Sequence, residues 1–380
     1  MSTIFQMRFF SPPATISALT LLTLLAIAPA TAENGGPLST LEAFQKALSP
    51  AVADRLETSP KHYRQIEPSL YYLAAAHASR IEALPPDDQV TLLAKLARFI
   101  DDRRQTAADR VVLGKGREVI GLLDPDRGLD PREVTTIARA YGSSPTVFKR
   151  DGDGKTIRSV ADDFLAAVSR AAAGNTPTTI VVLGHGLPNE IQSYAIPCDH
   201  LADAFLPTPT AAPSKPTAGS TPAVDLGHLV LICDDCYSAD FSINLAAALE
   251  KKCRERSLRL ASLPVMIAGT NRNCVGHADF GATFVPHFWK DVIELYYVRR
   301  PRQDAITLRD FFEKVDNMMY GYGRSPRVDG DGTVTYRLVD PTLCQDPVVF
   351  VPLADSDLAE LRTILGLPVD APLPRLFDIG

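Results

Sequence analysis

The chain has 380 residues, enough for one large core or two modest ones, and its 46% hydrophobic and 22% charged content is that of an ordinary globular protein. A net charge of −6 without any basic run excludes an electrostatic nucleic-acid surface. Six cysteines are too few for a disulfide scaffold in a chain of this length.

Residues 1–32 read as a secretory signal peptide. Arg8 gives a weakly basic start, residues 16–28 form a short apolar stretch, and Ala30-Thr31-Ala32 fits the small-x-small cleavage rule. The expectation is an exported protein, periplasmic or secreted, with no stable membrane span after cleavage. Residues 38–112 read as a helical N-terminal region. Ser39-Thr40-Leu41-Glu42 matches a capping box, and residues 69–84 carry apolar side chains at near-helical spacing. In residues 88–110, Leu92, Leu93, Leu96, Phe99 and Ile100 line one face, and Pro85-Pro86 separates the two helices.

From about residue 117 strand and helix patterns alternate. Strands are expected at 119–123, 146–149, 180–183, 229–233 and 264–268, and helices at 131–141, 160–173, 239–252 and 282–297. Such alternation predicts an α/β fold with a mainly parallel sheet between helices, its strands reading as continuous apolar runs because both faces are covered. Residues 207–223 are almost all Pro, Thr, Ala and Ser, which predicts an exposed loop. Residues 301–380 are expected to pack on the domain, with a hairpin over 328–336.

Two of the apolar runs stop on reactive side chains. Ile180-Val181-Val182-Leu183 stops at Gly184 and His185, and the run from Leu229 to Cys233 stops at Asp234, Asp235 and Cys236. A thiol where a strand turns into a helix sits near unpaired N–H groups and the positive end of the helix dipole, which favour a thiolate. An imidazole at the end of a neighbouring parallel strand can serve as its base. Glycines flank His185, and Gly186 can offer its N–H to an oxyanion. His200, His228, His277 and His287 lack this context, and His228 is expected at the opposite edge of the sheet. Cys233-Asp234-Asp235-Cys236 is also a C-x-x-C pair, the pattern of a thiol redox couple, although two intervening acids would raise both thiols.

The ordered pair Leu183-Gly184-His185-Gly186 and Asp234-Asp235-Cys236-Tyr237-Ser238-Ala239 resembles the caspase–hemoglobinase clan of cysteine peptidases. That clan includes caspases, metacaspases, legumains, gingipains and clostripain. The pattern is similar to the metacaspase one, SGHG followed by DSCHSG, and the resemblance spans residues 117–300. The resemblance implies a six-stranded, mostly parallel sheet in a three-layer sandwich, here with an all-helical N-terminal extension. It implies Cys236 as nucleophile, His185 as the catalytic histidine, and the N–H groups of Gly186 and Cys236 as oxyanion donors. Asp234 matches an acid that helps accept Arg or Lys before the cut bond. Thr270 and Asn271 fall in the loop that walls the substrate pocket in that clan. Leu183 and Ala239 depart from the pattern, replacing a small polar residue and a glycine.

These features predict an exported cysteine endopeptidase acting on peptides or proteins through a Cys–His dyad. If Asp234 and Asp235 shared one pocket, their repulsion would be offset by a basic substrate side chain, which predicts cleavage after Arg or Lys. No cofactor is expected. Calcium is the one metal considered, at the turns Asp151-Gly152-Asp153-Gly154 and Asp329-Gly330-Asp331-Gly332, though neither has the glutamate of an EF-hand loop. Two alternatives remain: an inactive caspase-like binding or scaffold protein, favoured by Ala239, and a thiol oxidoreductase using Cys233 and Cys236.

Overall fold

The computed structural model describes residues 50–58, 76–113, 116–124, 143–150, 154–207, 222–270, 307–309, 324–328, 334–338 and 348–378, with scattered positions between 48 and 138. The expected signal peptide, the capping box at Ser39, most of the Pro/Thr loop, the helix over 282–297 and Asn271 lie outside the described residues.

Two helices open the labelled elements, α1 (Ala78–Glu82) and α2 (Pro86–Arg110). The second starts two residues before its apolar pattern does. Pro86 takes the first helical position, where its missing N–H would have had no partner. Next come β1 (Glu118–Leu123), β2 (Thr146–Phe148), α3 (Ile157–Ala173) and β3 (Thr178–Leu183). Helix α3 begins a turn earlier than its periodicity indicates, because Thr156 and Ser159 cap each other's backbone N–H reciprocally. Residues 190–205 hold β4 (Glu190–Ile191), a 3-10 turn (Gln192–Tyr194), β5 (Ile196–Pro197) and α4 (Cys198–Phe205). Then follow β6 (Ala223–Asp225), β7 (Leu229–Asp234), α5 (Ser238–Glu255), β8 (Arg259–Ser262) and β9 (Val265–Ala268). The expected hairpin is present as antiparallel β10 (Arg324–Val328) and β11 (Val334–Leu338). The chain closes with β12 (Val348–Pro352), α6 (Asp355–Leu365) and β13 (Leu376–Asp378).

Seven strands form the central sheet, in the order β13-β12-β9-β7-β3-β1-β2. The block β2-β1-β3-β7-β9 is wholly parallel, and β12 runs antiparallel beside β9. The fold is thus α/β with a mostly parallel sheet between helices. Its strand count exceeds the expected six, because residues 376–378 return beside β12 as an antiparallel edge strand. Residues 348–378, expected only to pack on the domain, supply two sheet strands and a covering helix.

Strand alternation divides the core in two. Val119, Val181, Val230, Ile267 and Val349 face one side, and Ile120, Ile180, Leu231, Met266 and Phe350 face the other. Helices α3, α4 and α5 cover the second face. The first face is covered by α2 and α6, so the N-terminal helix is one layer of the sandwich. Arg103 on α2 ties these two helices, reaching Asp357 at 3.0 Å and Glu360 at 2.6 Å while lying 4.9 Å above the Phe99 ring. Phe99 meets Phe377 edge-to-face at 5.7 Å, linking α2 directly to β13.

Leu96, at the centre of the α2 face, is fully buried. Leu96→Ala is expected to cost about 2–5 kcal/mol. Because α2 shares the sheet's core, urea denaturation should show a lower midpoint in one transition for near- and far-UV probes together. An early separate transition confined to helix signal would contradict this layered packing.

Candidate functional site

The site sits on the C-terminal edge of the parallel block, where strands β1, β3, β7 and β9 end side by side. In doubly wound sheets this edge, next to the point where strand order reverses, is where ligands bind. Here the reversal lies between β1 and β3. Arg117 holds the opposite edge, donating to the carbonyls of Thr178 at 2.8 Å and His228 at 2.7 Å. His228 therefore lies away from the site, where the sequence predicts it.

Register brings the two reactive side chains together. Strands β3 and β7 pair in parallel with Leu183 opposite Asp234, and Gly184 N–H reaches the Asp234 carbonyl at 3.4 Å. His185 and Cys236 each lie two residues beyond that pair, on adjacent chain ends. Gly186 closes the gap between them. A Cβ there would fall 2.4 Å from Asp235 Oδ2 and 2.8 Å from the Cys236 carbonyl oxygen, so the two loops touch backbone to side chain and backbone to backbone. Only glycine permits this approach. His185 is exposed and Cys236 half-buried, so solvent can reach both.

A sharp turn presents Cys236. The next residue, Tyr237, caps α5 in the left-handed region at φ 59°, ψ 25°, a conformation costing a β-carbon residue about 1–3 kcal/mol. Surrounding bonds compensate for it. Thr270, just past β9, accepts from Ser238 N–H at 3.0 Å and donates to the Asp235 carbonyl at 3.1 Å. Ser238 Oγ accepts from Thr270 N–H at 2.9 Å, and Ala239 N–H reaches the Thr270 carbonyl at 3.2 Å. Thr270 is fully buried and braces the Cys236 turn from beneath. Ala239 is helical and buried in the first turn of α5. The one left-handed residue in this turn is Tyr237, so alanine at 239 introduces no backbone strain.

Asp234 and Asp235 do not share one pocket. Alternation places Asp234 on the side of the sheet that Leu183 faces, toward α2, while Asp235 lies against Gly186. Both are buried, 4% and 3% exposed. The charge of Asp235 reaches two thiols on the opposite face. Burial, then Asp199 and Asp235, push Cys198 up to about 12. Burial, then Asp235, raise Cys233 well above the usual thiol range. Cys198, Cys233, Cys236 and Cys253 are all thiols, with no disulfide among them. Cys233 is fully buried in β7 among the apolar side chains beneath α5.

The loop after His185 is rigid. Leu187 and Glu190 exchange backbone bonds of 2.9 and 3.2 Å, and Asn244 on α5 donates to the Pro188 carbonyl at 2.8 Å and Asn189 Oδ1 at 2.7 Å. Two residues that sequence reasoning missed stand beside His185. Asp124 follows β1, and Ser193 lies on the 3-10 turn. The signal for Asp124 was in the chain, since its apolar run stops on an acid just as the other two stop on His185 and Cys236. Ser193 carried no such mark. Among the described residues no three His, Cys, Asp or Glu side chains converge as a metal site, and no helix is long and apolar enough to cross a membrane. Of the acidic turns expected to suit calcium, residues 151–153 and 329–332 lie outside the described residues.

Gly186→Ala is expected to push the His185 and Cys236 loops apart, because its methyl would lie 2.4 Å from Asp235 Oδ2 and 2.8 Å from the Cys236 carbonyl oxygen. Thiol labelling of Cys236 should slow by about 10-fold or more, on the scale of a 1 Å misplacement, while the far-UV spectrum stays unchanged. Labelling at the normal rate would show that this close approach is not needed. Comparison of the chain with protein-family models, with curated proteins and with solved structures found no match to any of them.

Proposed function

We propose that this chain is an exported cysteine endopeptidase with a caspase-like sheet, cleaving peptide bonds through Cys236 and His185. One observation carries the reading: the in-register ends of β3 and β7, which bring a histidine and a half-buried cysteine onto adjacent loops in contact through Gly186.

The chemistry follows from those positions. Cys236 thiolate, formed as His185 takes the proton, attacks the substrate carbonyl carbon. The tetrahedral oxyanion is stabilised by the N–H groups of Gly186 and Cys236, each of the kind worth about 3–4 kcal/mol. His185 then returns its proton to the departing amine, leaving a thioester on Cys236. Water, deprotonated by His185, attacks the thioester and releases the new carboxyl terminus. The 18-residue helix α5 begins at Ser238, two residues after the sulfur, so the unpaired N–H groups and positive dipole end of its first turn lie close to the attacking atom. The edge also carries Asp124, Asp234 and Asp235, all buried. Their shared sign supports a substrate with Arg or Lys at the cut, with Asp234 as the principal partner because Asp235 is turned to the other face.

The oxidoreductase alternative requires Cys233 to act as a thiolate. Its burial and the neighbouring carboxylates oppose that ionisation, and its place inside a central strand denies access to a disulfide partner on another protein. The inactive-scaffold alternative drew on Ala239, which the helical backbone at that position does not support.

The full mature chain should hydrolyse fluorogenic peptides ending in Arg or Lys. Cys236→Ala is expected to lower turnover by at least about 10³-fold. Cys233→Ala should retain turnover within a few-fold. Turnover surviving Cys236→Ala would falsify the assignment, and equal loss in both variants, with both folded, would favour the disulfide reading. Iodoacetamide at pH 8 gives a second test. A group at about 12 is only ~10⁻⁴ thiolate there, so Cys198 should stay unlabelled while Cys236 reacts. The sign is fixed by the upward shift, and Cys198 labelling should appear only as the pH climbs toward 12. Rapid labelling of Cys198 or Cys233 in folded protein would contradict their buried, protonated state.

A further inference from the structure

Gly184-His185-Gly186 is a segment with unusual backbone freedom, since glycine on either side leaves the histidine poorly restrained by its own chain. An imidazole that must meet one sulfur needs restraint from elsewhere. The structure provides it on the side away from Cys236. Asp124, 1% exposed, follows β1, and its N–H extends the β1–β3 pairing by reaching the Leu183 carbonyl at 2.8 Å. The Ser193 hydroxyl donates to Asp124 Oδ2. The backbone N–H of His185 is shared between them, 2.9 Å from Ser193 Oγ and 3.2 Å from Asp124 Oδ2. Gly184 lets this cluster close, because a Cβ there would lie 2.9 Å from both Asp124 Cβ and Ser193 Oγ.

Ser193 is itself fixed. The neighbouring Tyr194 hydroxyl donates to the Leu123 carbonyl at 2.6 Å and accepts from Arg150 N–H at 3.2 Å. The turn ends on Ala195 in the left-handed region, φ 50°. The end of β1 and the 3-10 turn thus converge on one backbone N–H, and the end of β2 holds the turn in place through Tyr194. That N–H belongs to an exposed residue, which would otherwise bond to water at no cost to the fold. Buried, charge-assisted hydrogen bonds to such a group are among the stronger kind and hold geometry better than neutral ones. The backbone that this arrangement fixes is that of His185.

We propose that Asp124 and Ser193 are positioning residues for His185: the Ser193 hydroxyl, oriented by the buried Asp124 carboxylate, anchors the His185 main chain so that its imidazole faces Cys236. The proposal rests on the reading of His185 and Cys236 as an acting pair, but not on the bond they cleave. Asp124 and Ser193 act through His185, and their effect is lost when the imidazole is removed.

The test measures the second-order rate of Cys236 carboxamidomethylation by iodoacetamide in the full mature chain, read by mass spectrometry, beside peptide turnover. Four variants are compared: Ser193→Ala, Ser193→Thr, His185→Ala and the double variant Ser193→Ala/His185→Ala. Ser193→Ala is expected to slow labelling about 10-fold, and Ser193→Thr, which keeps the hydroxyl, to restore it to within about twofold of the parent. The double variant should label at the His185→Ala rate, because coupled residues are non-additive. A Ser193→Ala rate equal to the parent's overturns the proposal. So does an equal fold-loss from Ser193→Ala with and without the imidazole, which would mark a general structural role. So does a His185→Ala rate equal to the parent's. If the labelling pattern is as expected while the parent cleaves no peptide, the positioning role stands and the endopeptidase reading falls.

Discussion

Parallel pairing of β3 with β7, with Leu183 opposite Asp234, sets where His185 and Cys236 lie. Each strand continues only two residues past that pair before its reactive side chain. A slip of one position would move His185 away from Cys236 and turn the alternating core residues of β7 to the wrong face. The register is protected by the core itself, since Val181, Val230 and Ile232 must face α2 while Ile180, Leu229 and Leu231 must face α4 and α5. The hydrophobic packing that stabilises the sheet is therefore also what aligns the chemistry.

Around that alignment, polar groups do what apolar packing cannot. Hydrophobic contacts are non-directional and leave a loop free to shift by an ångström or more. Hydrogen bonds to the Cys236 turn come from Thr270 and Ser238, and those to the His185 backbone come from Asp124 and Ser193. In each set one member follows the strand one step further out: Thr270 follows β9 on the cysteine side, and Asp124 follows β1 on the histidine side. The reactive pair is thus bracketed within the sheet, and the left-handed conformation of Tyr237 persists because bonds on both sides over-determine it.

Charge placement separates the described cysteines into different kinds of group. Cys233 and Cys198 lie under the site within reach of Asp235, and burial with that carboxylate keeps them protonated. Cys236 lies one residue beyond, half-exposed and at a helix start. Three sequence positions thus separate an inert thiol in a strand from one placed to react. The same carboxylate packs on Gly186, so it contributes to the shape of the site as well as to its field.

Much of the architecture was legible in the chain. Continuous apolar runs at 119–123, 180–183 and 229–233 marked buried parallel strands, and the abrupt ends of the last two marked where His185 and Cys236 leave the sheet on one edge. The elements that escaped notice are those whose stability is not local. Strand β12 and strand β13 have no periodicity that separates them from other short apolar segments, and they belong to the sheet only because β9 leaves an edge to be covered. Helix α4, eight residues long, is too short to be stable by itself and exists because α5 and α3 offer it a surface. Thr270 was placed after a strand by the sequence, but its bonds to Ser238 and Asp235 depend on residues more than thirty positions away.

Local chemistry and period belong to the sequence: which segments are strands, where each stops, and which side chains can react. Which strand ends become neighbours, which face Asp234 and Asp235 turn to, and that Ser193 reaches Asp124 from 69 positions along the chain were decided only by the tertiary structure. The physical reason is that a side chain's type is carried by its own residue, whereas its partners are chosen by the burial of residues far along the chain.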